Sequence, residues 1–478
     1  MARLYPFRAL RYDPARVDMT DVVTQPYDKI TPAMQDAYYA ASPYNLIRVI
    51  LGKHLPNDTE AGPNVYTRAA ATLNDWRAEG ILKEESEPAL YGYSQTYKVP
   101  GTSAAAGEST DVRERRGFIA LGQLYDYADH VVYRHEQTFP KHKSDRLALF
   151  QATRAYCEQI YMLYSDPTFT AEQAIFNSGA APDLQITDEY DVLHRLWKLT
   201  DPALITKVLD AMADKKLIIA DGHHRYETST TYMHQRAAEL GLDPNAKPGL
   251  EGGFSPLSQT PSEPGFSPGS AATTLPAPAF PEAAMMMTFV NMDAPGITIL
   301  PTHRVAFGLI GFSGREFAAK AAKYFTVTEI APTLSGHFPG AEGLLKRLND
   351  TEGVAIIAAT RDGDFLLTPK PEAIAPLLAG LSPRQQQLDV TQLHKVVLEK
   401  LLGLSEDTVR AGSHVRYIRE ASDALQQVGC GNADVAFLIK PVTLDQMRDI
   451  SINLEVMPQK STDFYPKLLS GLAMYTLD

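Results

Sequence analysis

Leu217-Ile218-Ile219-Ala220-Asp221-Gly222-His223-His224-Arg225 is the segment around which this chain is organised. Its four apolar residues read as a short buried strand. Asp221 and Gly222 then turn the chain, and the residues from Tyr226 onward read as the opening of a helix. A strand that passes through Gly into a helix leaves backbone N–H groups pointing out of the helix N-terminus. Those donors, with the helix dipole, favour a bound anion. Two imidazoles and a guanidinium on the same turn add side-chain donors, and Arg can grip a phosphate through two bonds. Gly222, His223, His224 and Arg225 are therefore candidate phosphate-binding residues, with Asp221 beside them. The competing reading is that Asp221 caps the helix, Gly222 makes the turn and the histidines are incidental. There is no G-x-x-x-x-G-K-S/T loop. Adjacent His223 and His224 lack metal-ligand spacing, and no metal site is expected.

The 478 residues allow two or three domains, with apolar content ample for sizeable cores. A net charge of −12 argues against a protein that wraps nucleic acid. Cys157 and Cys430 are isolated, so neither a disulfide framework nor a CxxC site is expected, which fits a reducing cytoplasm. The N-terminal residues lack a signal-type apolar region, and no apolar run approaches a membrane span. The expectation is a cytoplasmic protein with a small-molecule partner.

Outward from the turn, the pattern is α/β. Residues 22–28 and 45–51 read as strands, 32–41 and 65–80 as helices, and 118–124 and 131–133 as strands. Ser144 is expected to cap the next helix. From 243 to 284 the chain becomes rich in Gly, Pro, Ser and Ala, which reads as a disordered insertion. Met285-Met286-Met287 resumes the fold as core strand. Residues 354–358 and 365–367 flank an Asp362-Gly363 hairpin signal. Residues 388–402 read as a helix stopped by Gly403, 435–439 as a strand, and Thr443 opens a capping box. The organisation expected is an N-terminal α/β portion at 1–130, a core at 131–242 with the phosphate turn, the insertion at 243–284, and a C-terminal α/β portion at 285–478.

Glu136 lies just past a strand end, where a carboxylate could accept a hydroxyl proton in phosphoryl transfer; a surface Glu in a charged loop is the alternative. Lys460, Ser461 and Thr462 sit in a loop read as lying between a strand and a final helix. They could hold the carboxylate of a small acid, or form a polar turn capping that helix. Tyr27-Asp28 and Thr302-His303-Arg304 are weaker candidates.

Residues 23–30, 42–52, 135–146, 221–228, 388–403 and 457–471 together resemble the bacterial domain-of-unknown-function 1015 family. That family is similar to the ParB/sulfiredoxin superfamily and, within it, to the free serine kinase. The resemblance implies a ParB/sulfiredoxin-like nucleotide-binding core with additional α/β portions. It implies that the Asp-Gly-His-His-Arg turn holds the phosphates of ADP or ATP, with Mg²⁺, and that Glu136 of His135-Glu136-Gln137 is the base for a serine-like hydroxyl. Lys460, Ser461 and Thr462 resemble the substrate loop. Where the kinase loop continues with basic residues this chain has Asp463, expected to repel a substrate carboxylate. The activity implied is that of a small-molecule kinase; the alternative is a ParB-like nucleotide-binding switch without turnover.

Overall fold

The apolar run is a strand, Leu217–Asp221, with its first four residues buried. It belongs to a nine-stranded mixed sheet. This computed structural model describes residues 1–478 apart from 61, 101–110, 137–139, 178, 245–248, 251–274 and 332–339, and apart from the side chains of 140–143 and 249–250. In chain order the sheet contains β1 (Leu4–Tyr5), β2 (Leu90–Lys98), β3 (Val112–Gln123), β4 (Val132–Tyr133), β5 (Ile160–Tyr164), β6 (Leu184–Thr187), β7 (Leu193–Leu199), β8 (Leu217–Asp221) and β9 (Ala284–Asn291). Their spatial order is β4-β8-β5-β9-β3-β2-β7-β6, with β1 on β3. β8 runs parallel to β4 and β9 parallel to β5; the other neighbours are antiparallel. The stretches before 130, between 131 and 242, and after 284 thus share one sheet.

A second sheet contains β10 (His303–Ala306), β11 (Phe325–Ile330), β12 (Ile356–Thr360), β13 (Gly363–Pro369), β14 (Val415–Ile418) and β15 (Val435–Ile439). It is antiparallel throughout, in the order β11-β13-β12-β15-β10-β14. Alternate residues of the large sheet enter two cores, as the two-residue period of a strand requires. Ile218 and Leu163 join a cluster that continues into Phe325, Ile356 and Phe437 of the second sheet. Ile219 and Met162 face the opposite way, toward Tyr226 and Met233 of the helix His223–Leu240. The architecture is mixed α/β.

Local signals place several elements where the sequence predicts them. Thr31 caps Pro32–Ala41, and Asn64 forms a capping box with Thr67 on Val65–Ala78. The Met run is buried throughout β9, and Thr443 and Gln446 cap Leu444–Ile452 reciprocally. Other expectations are corrected. Residues 22–28 are not a strand: the helix Met19–Val22 ends there and a 3₁₀ turn, Tyr27–Lys29, follows. Residues 45–51 contain the helical turn Ile47–Ile50, because Asn45 Oδ1 accepts the N–H of Ile47 at 2.9 Å. A short apolar run has no period that separates strand from buried helix. Ser144 lies inside the helix Pro140–Thr153, which starts at its proline. The 457–462 loop lies between the helix Leu444–Ile452 and the strand Asp463–Tyr465, with no helix after it among the described residues.

Of the expected insertion at 243–284, residues 245–248 and 251–274 lie outside the described residues, as does Gln137. Its end is packed: Leu275, Phe280 and Ala283 are buried and Pro276–Ala277 pairs with Gly249–Leu250. Among the described residues no helix is long and apolar enough to cross a membrane.

The C-terminal segment returns across the large sheet. Met457 bridges to Glu136, Ser470 to Thr24 and Met474 to Leu10. Buried Arg115 donates to the carbonyls of Tyr465 (3.3 Å) and Pro466 (2.6 Å), and Gln95 donates to that of Lys467 at 2.8 Å. These contacts carry residues 457–467 to the end of β8.

Candidate functional site

β8 ends at Asp221, and Gly222 turns the chain with φ 97° into the helix His223–Leu240, which no side chain caps. A Cβ at Gly222 would lie 3.2 Å from Arg225 Nη2, so both the left-handed backbone and the close approach require glycine. Arg225 is 4 % exposed and its Nη2 donates to Asp221 Oδ2 at 3.2 Å, while Nη1 donates to the carbonyl of Gln159. Burial disfavours its charge, but Glu158 and Asp221 outweigh that and raise its pKa. Arg225 therefore braces the turn with both arms of its guanidinium.

The two histidine-bearing segments meet here. His135, fully buried, stacks edge-on against His223 with ring centroids 4.6 Å apart. Burial, then its neighbour His135, pushes His223 well below the ordinary imidazole value, and burial lowers His135 against the opposing pull of Glu136. Both rings are neutral at pH 7. His223 Nε2 is buried with no hydrogen-bond partner. An unpartnered buried nitrogen costs free energy until something fills its place.

Glu136 follows His135 and faces the same space. Its Oε1 accepts from Ser461 N at 3.0 Å, Thr462 N at 3.2 Å and Thr462 Oγ1 at 3.3 Å. No bond from a described residue reaches its Oε2. Thr462 Oγ1 also bonds His135 Nε2 at 2.8 Å. Ser461 is turned away, its hydroxyl donating to the carbonyl of Pro458, so it shapes the loop. Lys460, at φ 57°, has no ion-pair partner among the described residues and reaches into two adjoining cavities.

The smaller cavity, about 60 Å³, is bounded by Tyr27, Asp28, Glu136, the 221–225 turn, Gln459 and Lys460. The larger, about 710 Å³, adjoins it through Glu136, Asp221, His223 and Lys460, and adds Lys29, Thr462, Asp463 and Lys467. Of the residues predicted from sequence, Tyr27, Asp28, Glu136, Asp221, Gly222, His223, His224, Arg225 and Lys460 line the smaller cavity and Thr302 and Thr462 the larger, whereas Ser461, His303 and Arg304 line neither.

Three further cations are not among the residues the sequence singles out. Lys467 Nζ, almost fully buried, lies 3.0 Å from both Asp221 Oδ1 and Asp463 Oδ1. Lys29 Nζ lies 3.2 Å from Asp463 Oδ1, and Arg419 Nε 2.6 Å from Asp463 Oδ2. Burial would raise the pKa of Asp463, but Lys467, Lys29 and Arg419 hold it far below the usual carboxylate range. Asp221 is likewise held down, against burial, by Lys467, Arg225 and Lys29. Burial disfavours the Lys467 charge, and Asp221 and Asp463 more than compensate. The expected repulsion from Asp463 is cancelled: three cations surround one acid. Lys467 was legible as a lone Lys in the apolar run Tyr465-Pro466-Lys467-Leu468-Leu469, since such a charge needs partners.

Arg304, fully buried, supports the loop from behind. Its Nη2 donates to the carbonyls of Gln459 and Lys460, each at 3.0 Å, and its Nε lies 3.3 Å from His394 Nε2. Burial lowers its pKa to about 10, still charged at neutral pH.

Residues 4–391 match the model of the family described as protein of unknown function, DUF1015. The chain belongs to that family. The 457–462 loop and Lys467 lie beyond the matched span. No curated protein matches this DUF1015 chain. Three solved structures are similar to it over part of its fold. A free serine kinase variant in complex with AMP is 12% identical with TM-score 0.31, covering 70% of this chain and 84% of that one. A conserved hypothetical protein from Pyrococcus furiosus is 12% identical with TM-score 0.32, covering 71% and 89%. SbnI with a C-terminal truncation, from Staphylococcus aureus, is 11% identical with TM-score 0.32, covering 74% and 85%.

Proposed function

We propose that this DUF1015 protein binds the phosphates of ADP or ATP at the 221–225 turn and transfers a phosphoryl group to the hydroxyl of serine or a similar small amino acid. One observation carries the reading: the Glu136 carboxylate and the uncapped helix N-terminus after Gly222 bound the same cavity. The backbone N–H groups of His223, His224 and Arg225 receive phosphate oxygens, and the unpartnered His223 Nε2 and Lys460 supply further contacts. The volume of the larger cavity falls in the roughly 300–1,000 Å³ range of small-ligand sites.

Glu136 Oε2 accepts the proton of the acceptor hydroxyl. The freed oxygen forms its bond to the terminal phosphorus as the bond to the bridging oxygen breaks, leaving AMP or ADP and a phosphomonoester. Lys460 and the Thr462 hydroxyl orient the acceptor, with the Lys29–Arg419–Lys467 cluster keeping the wall cationic beside its carboxylate. Asp221 acts as a positioning residue, because each of its oxygens already serves a cation.

Magnesium in a nucleotide site would need only one or two carboxylates besides the phosphates. Both Asp221 oxygens are engaged by cations, so Asp28 on the smaller cavity is the side chain that would help hold it there.

The test is purified full-length protein with serine and ADP or ATP, following phosphoserine by phosphorus NMR. Phosphoserine formation supports the kinase. Saturable calorimetric binding of a nucleotide with no phosphoserine would leave the second reading, a nucleotide-binding switch, which the three bonds Glu136 Oε1 makes to the loop favour. No binding of either nucleotide sinks both.

A further inference from the structure

The 457–460 loop has a second cavity behind it, of about 220 Å³. It shares Gln459 with the small phosphate-side cavity and Tyr417 with the larger one. Its remaining walls come from elements that the proposed chemistry does not use. Leu381, Leu404, Val409, Val456 and Met457 make it largely apolar.

Three observations set this space apart from an ordinary packing defect. Thr391 and Tyr417 both border it, and each has a buried hydroxyl with no hydrogen-bond partner; Thr391 is 3 % exposed. An unmet buried hydroxyl is costly, and two on one cavity are uncommon. One wall, Leu393–Leu401, winds as a π-helix, with Leu402 N donating to the carbonyl of Val397 at 3.0 Å. Wide helical turns of this kind are rare and concentrate at functional sites.

The charges around the cavity are already matched. Lys395 pairs with Glu399 (3.1 Å) and Glu406 (3.6 Å), and Arg410 with Glu406 (2.7 Å). His394 Nε2 lies 3.3 Å from Arg304 Nε, which can only donate, so this ring is a neutral acceptor at Nε2. No unpaired charge calls for an ionic ligand. The volume lies below that of drug-sized ligand sites.

We propose that this cavity is a second binding site, for a small uncharged molecule that combines an apolar body with one hydroxyl or carbonyl group. The polar group of the occupant satisfies Thr391 and Tyr417, and its body packs on Leu404, Val409 and Met457. The Arg304 guanidinium joins His394 to the Gln459 and Lys460 carbonyls. An occupant that fixes this wall therefore also fixes the loop bearing Lys460 and Thr462. Affinities at the two sites are then linked, equally in both directions. Binding here does not rest on the nucleotide reading; only the linkage does.

Phenol, an uncharged aromatic alcohol, is the probe, and toluene is its apolar counterpart. The full-length protein is labelled at its methionine methyl groups, and the Met457 signal is assigned by its loss in Met457→Leu. Phenol is expected to move that signal saturably at millimolar concentration and to bind more tightly than toluene. Thr391→Val, which keeps the side-chain shape, is expected to weaken phenol about threefold to tenfold and leave toluene unchanged. Val409→Trp, which fills the space, should abolish both shifts, with an unchanged unfolding midpoint confirming the fold. A Met457 signal that never moves with phenol overturns the site. Equal affinity for phenol and toluene in both wild type and Thr391→Val overturns its polar half.

Discussion

Glu136 Oε1 accepts the backbone N–H of Ser461 at 3.0 Å across 325 positions of the chain. Through this bond the carboxylate proposed as the base also anchors the loop that presents Lys460 and Thr462. In the proposed reaction chemistry and substrate positioning are therefore joined in one side chain, and substitutions at Glu136 must separate them.

Glu136→Gln keeps an oxygen acceptor for Ser461 and Thr462 but cannot take a proton. Phosphoserine formation is expected to fall by about 10²–10⁴-fold, with nucleotide affinity by calorimetry nearly unchanged. Glu136→Ala should lose both activity and the loop. Full activity in Glu136→Gln would remove the residue from the chemistry.

Gly222→Ala forces a side chain onto φ 97° and to within 3.2 Å of Arg225 Nη2. The expected cost is about 1–3 kcal/mol of stability, read by urea denaturation, together with loss of nucleotide binding. A variant that binds ADP like wild type would show that the turn is no phosphate cradle.

His303 is buried and its pKa is pushed from 6.5 down to about 4, chiefly by burial. Between those values the unfolded chain binds more protons than the folded one, so stability falls as pH falls. His303 alone should remove roughly 3 kcal/mol by pH 4, with His223 and His394, also lowered by burial, acting in the same direction. Asp221 and Asp463, held below their ordinary 3.8, add a loss only beneath that value. Asp364 and Asp389, each raised by burial to about 6, oppose this loss between pH 6 and pH 4. The check is therefore His303→Gln, whose denaturant midpoint should fall less than that of the wild type from pH 7 to pH 4; an identical fall contradicts a neutral, buried His303.

Lys467→Met leaves Asp221 and Asp463 facing each other with fewer cations. Breaking a buried ion pair from one side costs up to roughly 3–5 kcal/mol, and the remaining Arg225, Lys29 and Arg419 should keep the loss toward the lower end. Arg304→Lys instead removes the fork that holds the Gln459 and Lys460 carbonyls. Amide exchange at Ser461 and Thr462 should rise about tenfold while the unfolding midpoint moves less than in Lys467→Met. Unaltered exchange would mean the loop stands without Arg304.

Much of the site was readable because its signals are local. A buried strand, a Gly and three basic side chains occupy consecutive positions, and the backbone rules for that turn need no distant partner. The capped helices at 32–41 and 65–78 and the Met strand at 284–291 were legible for the same reason. Residues 22–28 and 45–51 were misread because four or five apolar residues fit a strand and a buried helical turn equally well. Burial decided between them, and burial is set by neighbours from elsewhere in the chain.

Order along the chain was enough to establish a strand-to-helix turn rich in anion donors, and to nominate Glu136 and the 460–462 loop as its companions. That they bound one cavity, that Ser461 faces away, and that Asp463 is neutralised by Lys29, Arg419 and Lys467 came only with the folded molecule. The physical reason is range. Backbone turns and caps are settled over a few residues, whereas a buried charge is settled by whichever opposite charges the packing brings within about 4 Å, and for Asp463 these run from Lys467, four residues on, to Lys29, 434 residues away.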